Sequence, residues 1–340
     1  MKTYKNLWDK FISKENFELA VKKAIKSKKS KKSVKHFLER KDYFIEKLRN
    51  DLKTGKYKTS TYKTFTIYEP KQRIIYKLPL YPDHILHHAL INILGPIWQR
   101  SFIQDSYACI PGRGLLGASQ KTMHFIRRNK YALQCDIRKF FPSINHEIMK
   151  NIIKRKIHDR RMLRVLSEII DSVGGNTNLP IGNLTSQWMG NVYLNELDVF
   201  VKQQLHWHDY IRYCDDFCLY GNDKKQLHLM KQKIKTFLEQ NLNMILSKAN
   251  VKRTLDGIPF IGYRHFRGFI LIRKNTAKKL KRRVANIINH KDFNELAVGQ
   301  MAALFGWTKW ANCFNYKKYM LNIADNLNSG WFIKKYLLRM

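Results

Sequence analysis

Residues Ile211–Gly221 read IRYCDDFCLYG, and the meaning of this stretch decides the fold. Two apolar runs rich in β-formers flank the pair Asp215–Asp216, which predicts a β-hairpin with the acids at its turn. Aspartate is common in solvent turns, but such turns have polar neighbours. Here Tyr213, Cys214, Phe217 and Cys218 surround the pair. Upstream, Tyr131–Asp136 (YALQCD) is a short apolar strand that closes on a third acid. Adjacent strand residues point to opposite faces, so only one of Asp215 and Asp216 easily shares a site with Asp136. Carboxylates brought together raise one another's pKa unless a cation neutralises them. Magnesium, which favours carboxylate oxygens together with phosphates, is the natural solution. Two such ions about 3.5–4 Å apart would activate a hydroxyl and stabilise a leaving oxygen in phosphoryl transfer.

These acids stand in a strongly basic chain. Its 340 residues carry 64 Lys+Arg against 26 Asp+Glu, a formal charge of +38, which makes a polyanion the expected partner. With 44% apolar residues and 13% aromatics, a disordered polycation is excluded. Apolar stretches such as Ala89–Leu94 are far shorter than the ~20 residues that span a bilayer. The basicity is spread along the chain rather than along one amphipathic helix, so nucleic acid is favoured over a membrane surface. Five cysteines without C-x-x-C spacing, and a polar Met1–Lys10, suit a reducing cytoplasm.

Helical spacing of Phe37, Leu38, Phe44, Ile45 and Leu48 makes the first 60 residues helical, with Gly55 as a stop. The lysines from Lys22 to Lys35 read either as a solubilising face or mobile arm, or as a nucleic-acid contact through Lys28, Lys29, Lys31 and Lys32. Tyr57–Tyr68 and Asp105–Ile110 read as strands, His84–Leu94 as a helix opened by the turn between Pro79 and Pro82. A glycine loop, Gly112–Gly117, leads into a helix ending near Arg128. Helices follow after Phe141, within Leu179–Phe200 and over Lys224–Asn241; strands return over Ile258–Ile272, and the basic tail from Lys274 is helical. The pattern is α+β.

Gly112, Gly114 and Gly117 spell G-x-G-x-x-G, and Asp136 follows 19 residues later, close to a dinucleotide fingerprint. Arg113 inside the loop, the lack of a second doubly wound unit and the net charge argue against it. His206 and His208 around Trp207 have no carboxylate or thiolate partner nearby in sequence and read as surface histidines.

Taken in order, the segments resemble a reverse transcriptase from about Phe37 to Tyr319. PKQRIIYKLPLYPDHILHHAL (70–90) and DSYACIPGRGLLGAS (105–119) are similar to the two fingers motifs. CDIRKFFPSI (135–144) resembles the motif carrying the first metal-binding aspartate, and YCDD (213–216) the Y-x-D-D signature. IPFIGYRHF (258–266) resembles the primer grip, and LFGWTKWANCFNY (304–316) the thumb. In the nucleotide-pocket motif most reverse transcriptases read Q-G-x-x-x-S-P, whereas this chain reads I-G-N-L-T-S-Q from Ile181 to Gln187. That variant, with FTIYEP, SYAC and DIRKFFPSI, resembles the enzymes of diversity-generating retroelements, which copy a template RNA with frequent errors at adenines.

The resemblance implies a right-hand polymerase fold: a basic helical extension over 1–60, fingers over 61–135, a palm over 136–272 with inserted helices around 145–178, and a helical thumb over 273–340. It implies Asp136, Asp215 and Asp216 as catalytic residues. Two Mg2+ ions (or Mn2+) would be held by Asp136, Asp215 and the Ile137 carbonyl. Lys71 and Arg73 would meet the triphosphate, where a guanidinium fork suits phosphate oxygens. Phe141 would gate the sugar, Ile181, Gly182 and Gln187 would line the pocket, and Gly182 would let backbone approach template or nucleotide closely. Arg113 would contact nucleic-acid backbone. Trp307 and Trp310 read as thumb core in preference to base-stacking platforms, and the lysine following the pocket helix is either Lys248 or Lys252. Implied partners are template RNA, cDNA, deoxynucleotides and a small basic accessory protein, with no membrane. Alternatives are a group II intron-like or defence-associated reverse transcriptase, or an inactive basic RNA-binding scaffold.

Overall fold

The chain begins with the helices α1 (Trp8–Ile12), α2 (Lys14–Ala24), α3 (Lys32–Glu39) and α4 (Lys41–Lys53). They are seen in a computed structural model that describes residues 2–68, 71–289, 300, 303–316, 318 and 319. Trp8, Phe11, Phe17, Phe37, Ile45 and Leu48 are buried in the main core. The single helical period expected over Phe37–Leu48 is broken at Arg40, whose backbone leaves helical space, and Leu38 is exposed. Lys22 and Lys23 lie on α2, and Lys32 and Lys35 on α3. Lys26, Lys28, Lys29 and Lys31 lie in the short connection between them, so the run is held at both ends by folded helices. Asp159 fastens this region: one carboxylate oxygen accepts the Leu7 and Trp8 N–H groups, and the other those of Arg161 and Met162. One buried acid thus caps two helix starts.

Next comes a two-stranded ribbon, β1 (Lys63–Ile67) and β2 (Arg73–Lys77), in antiparallel register. Its strand is shorter than the Tyr57–Tyr68 expected, because the approach is held elsewhere: Asp83 accepts from the Tyr57 hydroxyl and the Ser60 N–H. Helix α5 (Ile85–Gln99) follows, then α6 (Leu115–Arg128) after the glycine loop. Asp105–Ile110 is not a strand. It touches the sheet at one parallel bridge, Ser106 to Arg212, and Cys109 then turns it away with φ +55°. The glycine loop therefore follows no strand, which removes the dinucleotide geometry.

The centre is β3 (Tyr131–Ile137), followed by α7 (Phe140–Ser143), α8 (His146–Lys154), α9 (Arg160–Ile170) and α10 (Leu184–Val199). Then come β4 (Tyr210–Tyr213), β5 (Asp216–Gly221), α11 (Lys224–Leu242) and β6 (Leu246–Arg253). These strands form an antiparallel sheet in the order β4-β5-β3-β6. Leu133, Cys135, Ile137, Phe217 and Leu219 pack into the main core. The alternate residues Ala132, Ile211, Cys218 and Tyr220 pack with Phe125 and Ile126 of α6 into a second cluster. A sheet covered on both faces explains why its central strands read as continuous apolar runs.

A small antiparallel sheet, β7 (Ile258–Phe260), β8 (Tyr263–His265) and β9 (Ile270–Ile272), completes the second cluster and leads into α12 (Lys274–Asn289). Leu280 and Val284 of α12 pack with Leu304 and Phe305. Of the two tryptophans expected in the thumb core, Trp307 packs on Tyr263 at 5.4 Å and over Gly262. Trp310 is 41% exposed, with the Lys309 ammonium over its ring, because only Trp307 faces the small sheet. The rest of the 273–340 thumb assignment, at 290–299, 301–302, 317 and 320–340, lies outside the described residues.

Two buried histidines give the fold a pH dependence. His87 is fully buried with Nε2 unpartnered, and burial pushes its pKa down to about 3. His265 is pushed down to about 4 by burial; its Nδ1 faces the Ile258 carbonyl and its Nε2 the Ser119 hydroxyl. Both stay neutral in the folded chain well below the unfolded value near 6.5. As pH falls through 6.5, only the unfolded chain takes these protons, so stability is lost. Asp215 and Asp216, both raised by burial, oppose this, while His84 and His88, both lowered by burial, add to it. From pH 7 to 5 the unfolding free energy in urea is expected to fall, the two histidines supplying up to about 4 kcal/mol. A flat or rising profile contradicts their neutrality.

Candidate active site

The hairpin turn is built on a buried charge. Arg212 and Asp198 are both fully buried, their side chains 0% exposed. Arg212 donates Nε to Asp198 Oδ1 at 2.8 Å and Nη2 to Oδ2 at 2.6 Å. Its Nη1 donates to Asn191 Oδ1 at 3.1 Å and to the Cys214 carbonyl at 3.0 Å, and the Tyr210 hydroxyl donates to Asp198. Burial alone would lower the Arg212 pKa, and the Asp198 charge more than reverses this. The guanidinium therefore ties α10 to β4 and holds Cys214, in left-handed conformation at φ +58°, immediately before Asp215. Sequence reasoning missed this pair. Arg212 lay in plain view within the hairpin, but nothing local marks Asp198 as its partner.

Asp136 and Asp216 face each other in register across β3 and β5, and Asp215 occupies the turn. Burial raises the Asp215 carboxyl, the Asp136 charge adds to it, and Arg73 opposes. Burial, then Asp136, then Asp215 raise Asp216 to about 6, while Arg273 and Lys71 pull it down. Both acids of the turn thus feel Asp136. Lys71 Nζ lies 3.4 Å from Asp136 Oδ2. The ribbon therefore brings Lys71 and Arg73 to the carboxylates.

Two neighbours, Arg273 and Ser247, and the strand that carries the second, were not foreseen. Arg273 starts from the β9–α12 junction, and no local pattern distinguishes it from the other basic residues there. The strand β6 was missed because LSKANVKR (246–253) lacks a clean apolar alternation. Its register places Lys248 beside Asp136 and Lys252 beside Ala132, four residues farther along. A bulge at this point inserts Ser247, whose hydroxyl reaches Asp136 Oδ2 at 2.7 Å and the Asp136 carbonyl at 3.1 Å. Bulges commonly re-aim one side chain in this way.

The pocket motif meets the ribbon. Tyr76 N–H donates to the Ile181 carbonyl at 2.8 Å. Gly182 has φ +128°, and a Cβ there would lie 2.3 Å from the Tyr76 carbonyl oxygen. Its smallness is thus required by protein backbone, where the sequence had suggested template or nucleotide. The Phe141 ring lies tilted by 56° against Phe140, centroids 5.0 Å apart, and rests against Gly190 of α10. Gln187, one turn before Gly190, is exposed. Ile137 is the buried last residue of β3. Arg113 is turned inward: its Nη1 donates to the Ile103 and Ser106 carbonyls, so it staples the preceding loop. Lys28, Lys29 and Lys31 lie in the connection between α2 and α3, Lys32 opens α3, and none is gathered with the carboxylates; all but the half-buried Lys28 are exposed.

Among the described residues, no three Asp, Glu, His or Cys side chains close a metal cluster by themselves. Asp136 and the turn acids offer hard oxygen donors that repel one another, with cations at their rim. Such a set suits a divalent ion that takes its remaining oxygens from phosphate and water.

Residues 58–265 match the reverse transcriptase (RNA-dependent DNA polymerase) family. The chain belongs to that family. It is 24% identical over 300 residues to protein YkfC of Escherichia coli K12, covering 74% of this chain and 77% of YkfC. It is 25% identical over 170 residues to the group II intron-encoded protein LtrA of Lactococcus lactis, covering 47% of this chain but 28% of LtrA. To the retron Ec73 reverse transcriptase of Escherichia coli it is 27% identical over 172 residues, covering 47% of this chain and half of that enzyme. Apo telomerase from Candida tropicalis shares the fold, with TM-score 0.52 and 13% identity over 82% of this chain and 60% of the telomerase chain. The reverse transcriptase is therefore of the bacterial, group II intron-like kind, an RNA-directed DNA polymerase with a right-hand fold. The family generally uses divalent metal ions. No helix among the described residues is long and apolar enough to cross a membrane.

The ribbon's seat on Gly182 has a measurable cost. Gly182→Ala places a methyl against the Tyr76 carbonyl in a backbone region alanine avoids, and should lower the unfolding free energy by at least about 2 kcal/mol. Gly174→Ala, at φ +78° with open space around it, should cost about half as much or less. Equal losses in urea titrations would show that the Tyr76 contact is not tight.

Proposed function

We propose that this reverse transcriptase makes error-prone cDNA from a template RNA for a diversity-generating retroelement. The observation that carries the reading is the I-G-N-L-T-S-Q run from Ile181 to Gln187, where most family members have glutamine first. In the reaction the primer 3′-hydroxyl attacks the α-phosphate of a deoxynucleotide, and pyrophosphate leaves. Asp136, Asp215 and the Ile137 carbonyl would hold Mg2+ or Mn2+, which when bound activates the hydroxyl and stabilises the leaving oxygen. Asp216 adds charge beside them. Lys71 and Arg73, with Arg273 near Asp216, neutralise the triphosphate as it approaches three acids. Phe141 would exclude a ribose 2′-hydroxyl by the bulk of its ring. Lys28, Lys29, Lys31 and Lys32, at the junction of α2 and α3, bind RNA phosphates by charge. Arg113 serves the backbone contact only indirectly, by fixing its loop. A small basic accessory protein is the proposed partner; two basic chains meet through apolar or acidic patches, or through bridging RNA.

Similarity to the group II intron protein and the retron enzyme favours a second reading, an accurate reverse transcriptase of those kinds. Ile181 separates the two. A glutamine amide donates and accepts hydrogen bonds near the nascent pair, whereas isoleucine only packs. Losing one such constraint removes about 0.5–1.5 kcal/mol of discrimination, up to roughly tenfold in incorporation. Sequencing cDNA made on one RNA should show frequent errors opposite adenine for the wild type and fewer for Ile181→Gln. Asp215→Asn is the control, expected to abolish extension while RNA binding persists. Low adenine error in the wild type sinks the retroelement reading, and full extension by Asp215→Asn sinks the metal assignment.

A further inference from the structure

The ribbon that delivers Lys71 and Arg73 is thin. Every residue of β1 and β2 is exposed or half-buried, and a two-stranded ribbon alone is marginally stable. Its position must therefore be set where it is attached, and that attachment is polar. The Tyr62 hydroxyl accepts from Asn183 Nδ2 at 2.8 Å and lies 2.9 Å from Ser172 Oγ. Ser172 spends its own proton on the Ile169 carbonyl at 2.7 Å, so the Tyr62 proton points to Ser172. The Tyr76 hydroxyl accepts from Asn178 Nδ2 at 3.1 Å. The two rings meet edge to face at 5.5 Å. Asn178 and Asn183 bracket Ile181 and Gly182, which hold the Tyr76 backbone. Asn178 is itself anchored, its carbonyl 2.8 Å from His146 Nε2 on α8.

We propose that Tyr62 and Tyr76 form a clasp that sets how closely the β1–β2 ribbon brings its cations to the carboxylates, and so act as positioning residues for the incoming nucleotide. The inference rests on the polymerase reading above. Its leverage is geometric. Arg73 stands three residues from Tyr76, about 10 Å along a strand, so a tilt of about 6° at the clasp moves the guanidinium by about 1 Å. Misplacement on that scale is costly for a group that positions substrate. Because the same loop carries the Ile181 carbonyl, the clasp also fixes the pocket wall relative to the cations. Neither hydroxyl touches the carboxylates, so its loss should weaken nucleotide binding and spare the chemical step.

Single-nucleotide extension by the full chain on an RNA template with a DNA primer tests this. Tyr62→Phe and Tyr76→Phe keep the rings and remove only the hydroxyls. Each is expected to raise KM for the deoxynucleotide about two- to tenfold, with kcat within about twofold and primer–template affinity unchanged. Asn178→Ala should reproduce the Tyr76→Phe rise, and the double variant should add little to either, because both remove one bond. An unchanged KM, or equal losses in kcat and primer–template affinity with a lowered melting temperature, overturns the clasp. Wild-type protein that does not extend the primer overturns the polymerase reading instead.

Discussion

Arg212 and Asp198 form an ion pair with no solvent contact, at the point where the sheet, the pocket helix and the catalytic turn meet. Taking two charges out of water costs several kcal/mol each, and mutual attraction offsets this only when the geometry is good and the remaining donors are used. Here they are used: Arg212 also bonds Asn191 and the Cys214 carbonyl. Asn191 in turn donates to the Ala108 carbonyl, and the Arg212 backbone bonds Asp105 and Tyr107. One guanidinium thereby fixes the register of the hairpin, the azimuth of α10 and the course of the loop before α6. The pair supplies position more than net stability. A hydrophobic replacement could fill its volume, but it could not hold the Cys214 carbonyl.

The same economy governs the site. In a chain of charge +38, three acids cluster at the end of a sheet buried on both faces. Burial and repulsion raise Asp215 and Asp216, and Lys71, Arg73 and Arg273 partly compensate. This balance prepares the site for a substrate that brings both metal and phosphate charge. The Ser247 bulge fixes one oxygen of Asp136 in the meantime. Attachment of the ribbon through two tyrosines then links the pocket wall to the cations that would meet the triphosphate.

The hairpin and the strand ending in Asp136 were legible because burial on two faces leaves a dense apolar signature in local sequence. Lys71 and Arg73 stood out only through the motif they belong to, and the fold brings both near the carboxylates. What escaped depends on contacts between distant segments. The edge strand β6 is half exposed, so its lysines and Asn250 dilute the pattern of period two. Asp198 sits in the last turn of α10 with nothing local to mark it, and only the tertiary fold shows its carboxylate bonded to the hairpin's Arg212. The positive φ of Gly182 answers to Tyr76 across the pocket, a contact more than one hundred residues long in sequence. Asp105–Ile110 carries strand-forming residues yet pairs at one position, because Cys109 turns it away.

The claim that the buried pair serves position is tested most directly by comparing Arg212→Met with the double variant Arg212→Met/Asp198→Met, measuring unfolding free energy and primer extension on each. The single variant strands a buried carboxylate and should lose about 3–5 kcal/mol. The double variant should regain most of that stability, since apolar side chains fill the space without an unpaired charge. It should still extend primers far more slowly than the wild type, because the turn bearing Asp215 has lost its tie. A double variant that is both stable and fully active would contradict the account.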